Sequence, residues 1–63
     1  MTVKIKNITK DEYYNLLHQG YRTKDRFADR SSAQLYAFDI DKNFKDVVVI
    51  KRDDEVFYYV MAK

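Results

Sequence analysis

Two short runs in the second half of this chain constrain its fold more than any other feature. Val47–Ile50 reads VVVI and Val56–Val60 reads VFYYV. β-branched and aromatic residues at this density are typical of strands. Because every residue in both runs is apolar, both alternating sets of side chains require cover from solvent. The chain therefore has to shield two faces of a sheet.

We predict an antiparallel meander of three strands in this half of the chain. A two-residue turn at Asp53-Asp54 would pair Ile50 with Phe57 and Val48 with Tyr59. The predicted strands are Gln34–Ile40, Asp46–Arg52 and Glu55–Ala62, with the first turn at Asp41–Asn43.

The first half of the chain begins with a strand and a helix. Val3–Lys6 alternates apolar and basic residues, which predicts a short strand with one buried face. Thr9 and Glu12 have the spacing of a capping box, and Gly20 stands where a left-handed C-cap is expected. These signals predict a helix over Lys10–Gln19.

Two stretches are less regular. Tyr21–Ser32 is polar and without clean periodicity, so we predict a connection that can include a helical turn near Asp25–Arg30. Gln34–Ile40 has a second interpretation as a helix, because Ser31 and Gln34 also have capping-box spacing.

These elements predict an α+β fold in the order β-α-β-β-β, with the helix packed on a mainly antiparallel sheet. The 63 residues allow a single domain, 1–63. The chain contains no cysteine, so disulfides cannot stabilise it.

The predicted sheet has more apolar surface than one helix can cover. An uncovered apolar face usually marks a surface for a partner, which can be a foreign macromolecule or a second copy of the chain. Alternatively, Tyr21–Ser32 folds over this face with Phe27 at its centre. The two predicted faces are Tyr36, Phe38, Ile40, Val47, Val49, Val56, Tyr58 and Val60, and Ala33, Leu35, Ala37, Val48, Ile50, Phe57, Tyr59 and Met61.

Basic residues alternate with aromatic ones between Tyr21 and Arg30. Arginines beside aromatic side chains can anchor a protein interface, or they can bind phosphates while the rings stack on bases. Asp25 and Asp29 dilute this charge, and the chain has a net charge of only +2. The cations are Arg22, Lys24, Arg26 and Arg30, to which Lys4 and Lys6 of the first strand can be added.

No motif in the chain indicates catalysis, a metal or a cofactor. Asp39, Asp41 and Asn43 resemble the start of a calcium loop, but Phe44 stands where that loop requires glycine. His18 is the only histidine, and no glycine-rich phosphate loop is present. We therefore expect a protein that is not an enzyme and has no cofactor.

The most economical interpretation is a non-enzymatic cytoplasmic binding module that docks on a macromolecule, most simply a protein. Its composition resembles that of the small accessory or inhibitor proteins that viruses and mobile elements encode. The alternative is a nucleic-acid-binding domain that uses residues 21–30 and the first strand. No apolar run reaches the ~18 residues of a membrane span. The predicted partner-binding residues are Tyr21, Arg22, Lys24, Arg26, Phe27, Arg30, Tyr36, Phe38 and Tyr58.

Overall fold

A computed structural model describes residues 5–63, which form two helices and four strands and confirm the α+β class. The order is β-α-β-α-β-β. Within this part of the chain neither helix is long and apolar enough to cross a membrane. The elements are β1 (Ile5–Ile8), α1 (Lys10–His18), β2 (Arg22–Phe27), α2 (Arg30–Asp41), β3 (Val47–Arg52) and β4 (Tyr58–Ala62).

Helix α1 begins at the predicted capping box. The Glu12 backbone N–H donates to the Thr9 hydroxyl at 3.2 Å, and the Thr9 N–H donates to the Glu12 carboxylate at 3.2 Å. The chain leaves the helix through Gly20, whose φ of +103° is rarely adopted by residues that carry a Cβ. The predicted helix is confirmed, and it ends at His18, one residue earlier than predicted.

The four strands form one mixed sheet in the order β1-β3-β4-β2. β1 runs parallel to β3, whereas β4 is antiparallel to both β3 and β2. β1 and β2 are therefore the two edges of the sheet. Of the predicted first strand, Ile5 and Lys6 lie in β1, while Val3 and Lys4 lie outside the described residues.

The predicted pairing within the β3–β4 hairpin is wrong by two residues. Ile50 pairs with Tyr59 and not with Phe57. The connection is longer than the predicted two residues, since β3 ends at Arg52 and β4 begins at Tyr58. Within it the Arg52 guanidinium donates to the Asp54 carboxylate at 3.0 and 2.7 Å. A shift of two preserves the face on which each side chain lies, so the predicted division of β3 and β4 into two faces is confirmed.

The predicted strand Gln34–Ile40 is wrong, because these residues belong to α2. Asp29 caps the helix by accepting a hydrogen bond from the Ser32 N–H at 3.0 Å. Ala33 and Ala37 are fully buried against the sheet, with Ile40 packed beside them. Spacings of four and three residues place these side chains on one side of a helix, whereas in a strand they would divide between two faces.

The segment Tyr21–Ser32, predicted as a connection, contains the edge strand β2. Arg22 to Arg26 are all exposed, so the segment shows no alternation of apolar and polar residues. The strand forms through backbone pairing with β4, and its register shifts around Lys24. A charged, bulged edge resists pairing with a further strand from another chain.

Each face of the sheet is packed against one helix. Helix α2 lies on the face of Val47, Val49 and Val60. Helix α1 lies on the face of Ile50 and Met61. The prediction that one whole face stays uncovered is wrong, because the residues assigned to a third meander strand form the second covering helix.

Candidate functional site

Helix α1 packs on its face of the sheet through side chains at both of its ends. The Tyr13 hydroxyl lies 3.3 Å from the Thr23 hydroxyl on β2, and the Tyr13 ring lies 6.1 Å from the Tyr59 ring on β4. The Arg52 guanidinium of β3 stands over the Tyr13 ring at 5.0 Å. At the other end of the helix, Arg22 Nη1 donates to the Leu17 carbonyl at 2.9 Å. No residue of α1 is fully buried, and within residues 5–63 a groove lies between the helix and strands β1 and β3.

This groove has a volume of about 610 Å³, and we call it the α1 groove. Its floor is apolar, with Val48 partly exposed and Ile50 buried. Helix α1 contributes a polar wall, and β1 contributes Lys6. The residues that carry these features are Lys6, Ile8, Glu12, Asn15, Leu16, Gln19, Val48 and Ile50.

One end of the α1 groove is formed by Tyr21 and Asp46. The Tyr21 ring is only 5 % exposed, and its hydroxyl donates to the Asp46 carboxylate. This hydrogen bond, with burial and the negative charge of Asp46, raises the pKa of Tyr21 from 10.0 to about 12. The pair ties the segment before β2 to the segment before β3.

We expect Tyr21→Phe to lower the free energy of unfolding by about 1 kcal/mol at neutral pH, because one hydrogen bond to a charged group is lost. The raised pKa means that the folded chain favours the protonated phenol. This stabilisation is complete below the unfolded pKa of 10.0 and is lost as the pH rises through about 12. Urea unfolding from neutral to alkaline pH measures it.

The matched control for this measurement is Tyr36→Phe, which removes a hydroxyl for which no hydrogen bond is found within residues 5–63. The difference in free energy of unfolding between wild type and Tyr21→Phe should shrink toward zero as the pH rises. The corresponding difference for Tyr36→Phe should stay constant. If the free-energy difference for Tyr21→Phe did not change with pH, this would contradict the assigned hydrogen bond.

The predicted basic residues are spread from the start of β2 to the start of α2. Arg22 and Lys24 lie where β2 begins, whereas Arg26 lies near its end and Arg30 opens α2. The Arg26 guanidinium stands over the Phe57 ring at 5.0 Å. The four cations are thus spread along β2 and the start of α2, and their role in binding stays a prediction. Lys6 lies on the opposite edge of the sheet.

The predicted aromatic residues differ in their exposure, and their role in binding stays a prediction. Phe27, Tyr36 and Tyr58 are partly buried against the core beneath α2, and the Phe27 and Tyr36 rings lie 5.4 Å apart. Phe38 alone points outward and is 44 % exposed, near Leu35, which is 67 % exposed. Tyr21, predicted as a contact residue, belongs to the core under α1.

Cations from three separate segments meet where β2 begins and β4 ends. Arg22, the first residue of β2, pairs with Ala62, the last residue of β4. Lys63 directly follows Ala62 in the chain. The Lys45 N–H donates to the Lys63 carbonyl at 2.8 Å, and the Lys63 ammonium lies 4.6 Å from the centre of the Tyr21 ring. We call this cluster the basic end, and it consists of Arg22, Lys24, Lys45 and Lys63.

The basic end keeps its positive charge. The Lys24 ammonium lies over the Phe44 ring at 4.9 Å rather than beside a carboxylate. Both ion pairs found in residues 5–63 are made by Arg52, at the opposite end of the sheet. Sequence analysis missed Lys45 and Lys63, because they are distant in the chain from Arg22 and only the β-pairing brings them together.

The remaining sequence candidates lie in structural positions. Asp39 and Asp41 are in α2, so the calcium-like spacing does not form a loop. The described part of the chain has no group of three or more His, Asp or Glu side chains that could hold a metal ion. In comparisons with known proteins, no family model, curated protein or solved structure matches this chain.

Proposed function

We propose that this chain is a non-enzymatic binding module that docks on a partner protein through the α1 groove. The observation that carries the proposal is the groove beside α1, on whose floor Val48 stays partly exposed within residues 5–63. A concave apolar floor with polar groups at its rim is the usual form of a specific contact site.

A protein segment suits the chemistry of this groove. Val48 and Leu16 present apolar atoms, while Asn15 and Gln19 present amide groups that can donate and accept hydrogen bonds. An amphipathic peptide would bury its apolar side chains on the floor and pair its polar groups with the amides. The cysteine-free composition supports action in a reducing compartment, and the proposal assigns the module to the cytoplasm.

The proposal is tested with peptides selected from a displayed random library on the immobilised full chain. Val48→Gln should weaken binding of the selected peptides roughly tenfold, because it puts an amide where the peptide needs an apolar contact. Fluorescence anisotropy with labelled peptides measures the dissociation constants. Circular dichroism checks that the variant keeps its fold.

Leu35→Gln is the matched control, since it makes the same kind of change at an exposed position on α2. Binding that survives Leu35→Gln and is lost in Val48→Gln supports the α1 groove. The reverse result would transfer the contact to the outer side of α2 and refute the proposal. If that side instead pairs two copies of the chain, sedimentation velocity will show self-association that Leu35→Gln removes.

Nucleic-acid binding is the second candidate, and the basic end is the observation that favours it. The neutralisation of several phosphates would make the affinity for a random oligonucleotide fall steeply with salt. A nearly flat salt dependence together with weak binding would dismiss this candidate.

A further inference from the structure

The α1 groove and the basic end adjoin each other at one point. Tyr21 and Asp46 line the end of the groove. Lys63 lies over the ring of Tyr21, and Lys45 directly precedes Asp46 in the chain. A ligand that lies along the groove toward Tyr21 therefore approaches the side chains of Lys45 and Lys63.

The charge at this end is strongly one-sided. The three segments that meet there, 21–24, 42–46 and 61–63, contain five basic residues and one acidic residue. The acidic residue is Asp46, whose carboxylate accepts the Tyr21 hydroxyl. The Lys63 ammonium lies 4.6 Å from the centre of the Tyr21 ring. This is well within the screening length of about 8 Å at physiological salt, so its charge acts on a ligand at this end of the groove. The opposite end of the groove has no such excess, because the first turn of α1 contains Asp11 and Glu12.

We propose that the segment bound in the α1 groove is an acidic amphipathic peptide of the partner protein, with its carboxylates at the basic end and its apolar side chains over Val48. This inference rests on the proposed function and adds the partner's charge and direction. Carboxylates placed beside Lys45 and Lys63 gain charge-assisted hydrogen bonds. A peptide in the reverse direction would bring its carboxylates next to Glu12 and be disfavoured.

The same residues favour a peptide over a nucleic acid. Single-stranded nucleic acids bind through bases stacked on open aromatic faces. The two rings at the basic end are not open in this way. Tyr21 is 5 % exposed and lies under the Lys63 ammonium, and Phe44 packs against the core beside the Lys24 ammonium.

The test uses the peptides selected on the full-length chain and the double variant Lys45→Glu/Lys63→Glu. We expect the selected peptides to carry acidic residues toward one end, and the double variant to weaken their binding by at least about tenfold. Raising NaCl from about 50 to about 300 mM should weaken wild-type binding severalfold and leave the variant's residual binding nearly unchanged. Thermal unfolding checks that both chains are folded.

The matched control is Lys10→Glu/Arg30→Glu, which changes the net charge equally at the opposite end of the sheet. This control should change the dissociation constant by less than about twofold. Peptides that are lost with Val48→Gln but bind equally to Lys45→Glu/Lys63→Glu would overturn the acidic-peptide inference and leave the proposed function intact. If no selected peptide depends on Val48, the proposed function itself fails. A random oligonucleotide that outcompetes the peptides at the basic end would overturn the inference in favour of nucleic acid.

Discussion

Ala37→Glu is expected to leave the chain unfolded at room temperature. Ala37 has no exposed surface, and on the core side of α2 it packs against the valines of β3 and β4. A glutamate there would overfill the contact and bury an unpaired carboxylate, which costs several kcal/mol. A domain of this size has a free energy of unfolding of only about 5 kcal/mol. Far-ultraviolet circular dichroism and the loss of a cooperative thermal transition measure the effect.

The matched control is Leu35→Glu, two residues away on the outer side of α2, where the side chain is 67 % exposed. We expect this change to alter the free energy of unfolding by less than about 0.5 kcal/mol. In a strand, Leu35 and Ala37 would share a face and the two changes would have similar effects. Similar effects would therefore contradict the helical assignment of residues 30–41.

Local signals were sufficient to predict α1. The Thr9–Glu12 capping box and Gly20 act within a few residues of chain, and each is observed as predicted. The division of β3 and β4 into two faces was also predictable, because alternation survives a register shift of two. The shift itself follows from the length of the connection between β3 and β4, which the pattern of apolar residues does not indicate.

The two wrong assignments have different causes. In α2, the core side consists of two alanines, one aromatic residue and Ile40 at helical spacing, while Leu35 and Phe38 are apolar but face solvent. Because apolar residues occur on both sides of the helix, the sequence does not show the apolar side and polar side by which periodicity identifies a helix. In β2, the strand is formed by backbone pairing with β4, and its exposed side chains carry no information about burial.

The candidate site was only partly predictable for the same reason. An excess of apolar sheet surface was expected from β3 and β4, and it survives as the α1 groove beside Val48. The positive charge was expected from residues 21–30 and from the first strand. Lys45 and Lys63 join Arg22 through pairing between distant segments, so the basic end appears only once the register of β2, β3 and β4 is known.

Adjacent valines on β3 test how much of the sheet α1 protects. Val49 has no exposed surface and faces α2, whereas Val48 faces the α1 groove and is partly exposed. Val49→Ala should lower the free energy of unfolding by about 2–3 kcal/mol, because two methyl groups are removed from a packed core and a cavity remains. Val48→Ala removes the same atoms from the groove floor, where solvent can fill the space, and should cost less than about 1 kcal/mol.

Urea unfolding of both variants gives this comparison directly, since the chemical change is identical and the backbone positions adjoin. If the sheet were fully packed on both faces, Val48→Ala and Val49→Ala would lower the free energy of unfolding equally. That result would mean that the α1 groove is closed in solution. Unequal losses mean that Val48 adds little to folding although it is apolar. An apolar side chain that the fold does not need, on the floor of an open groove, remains available to contact a partner.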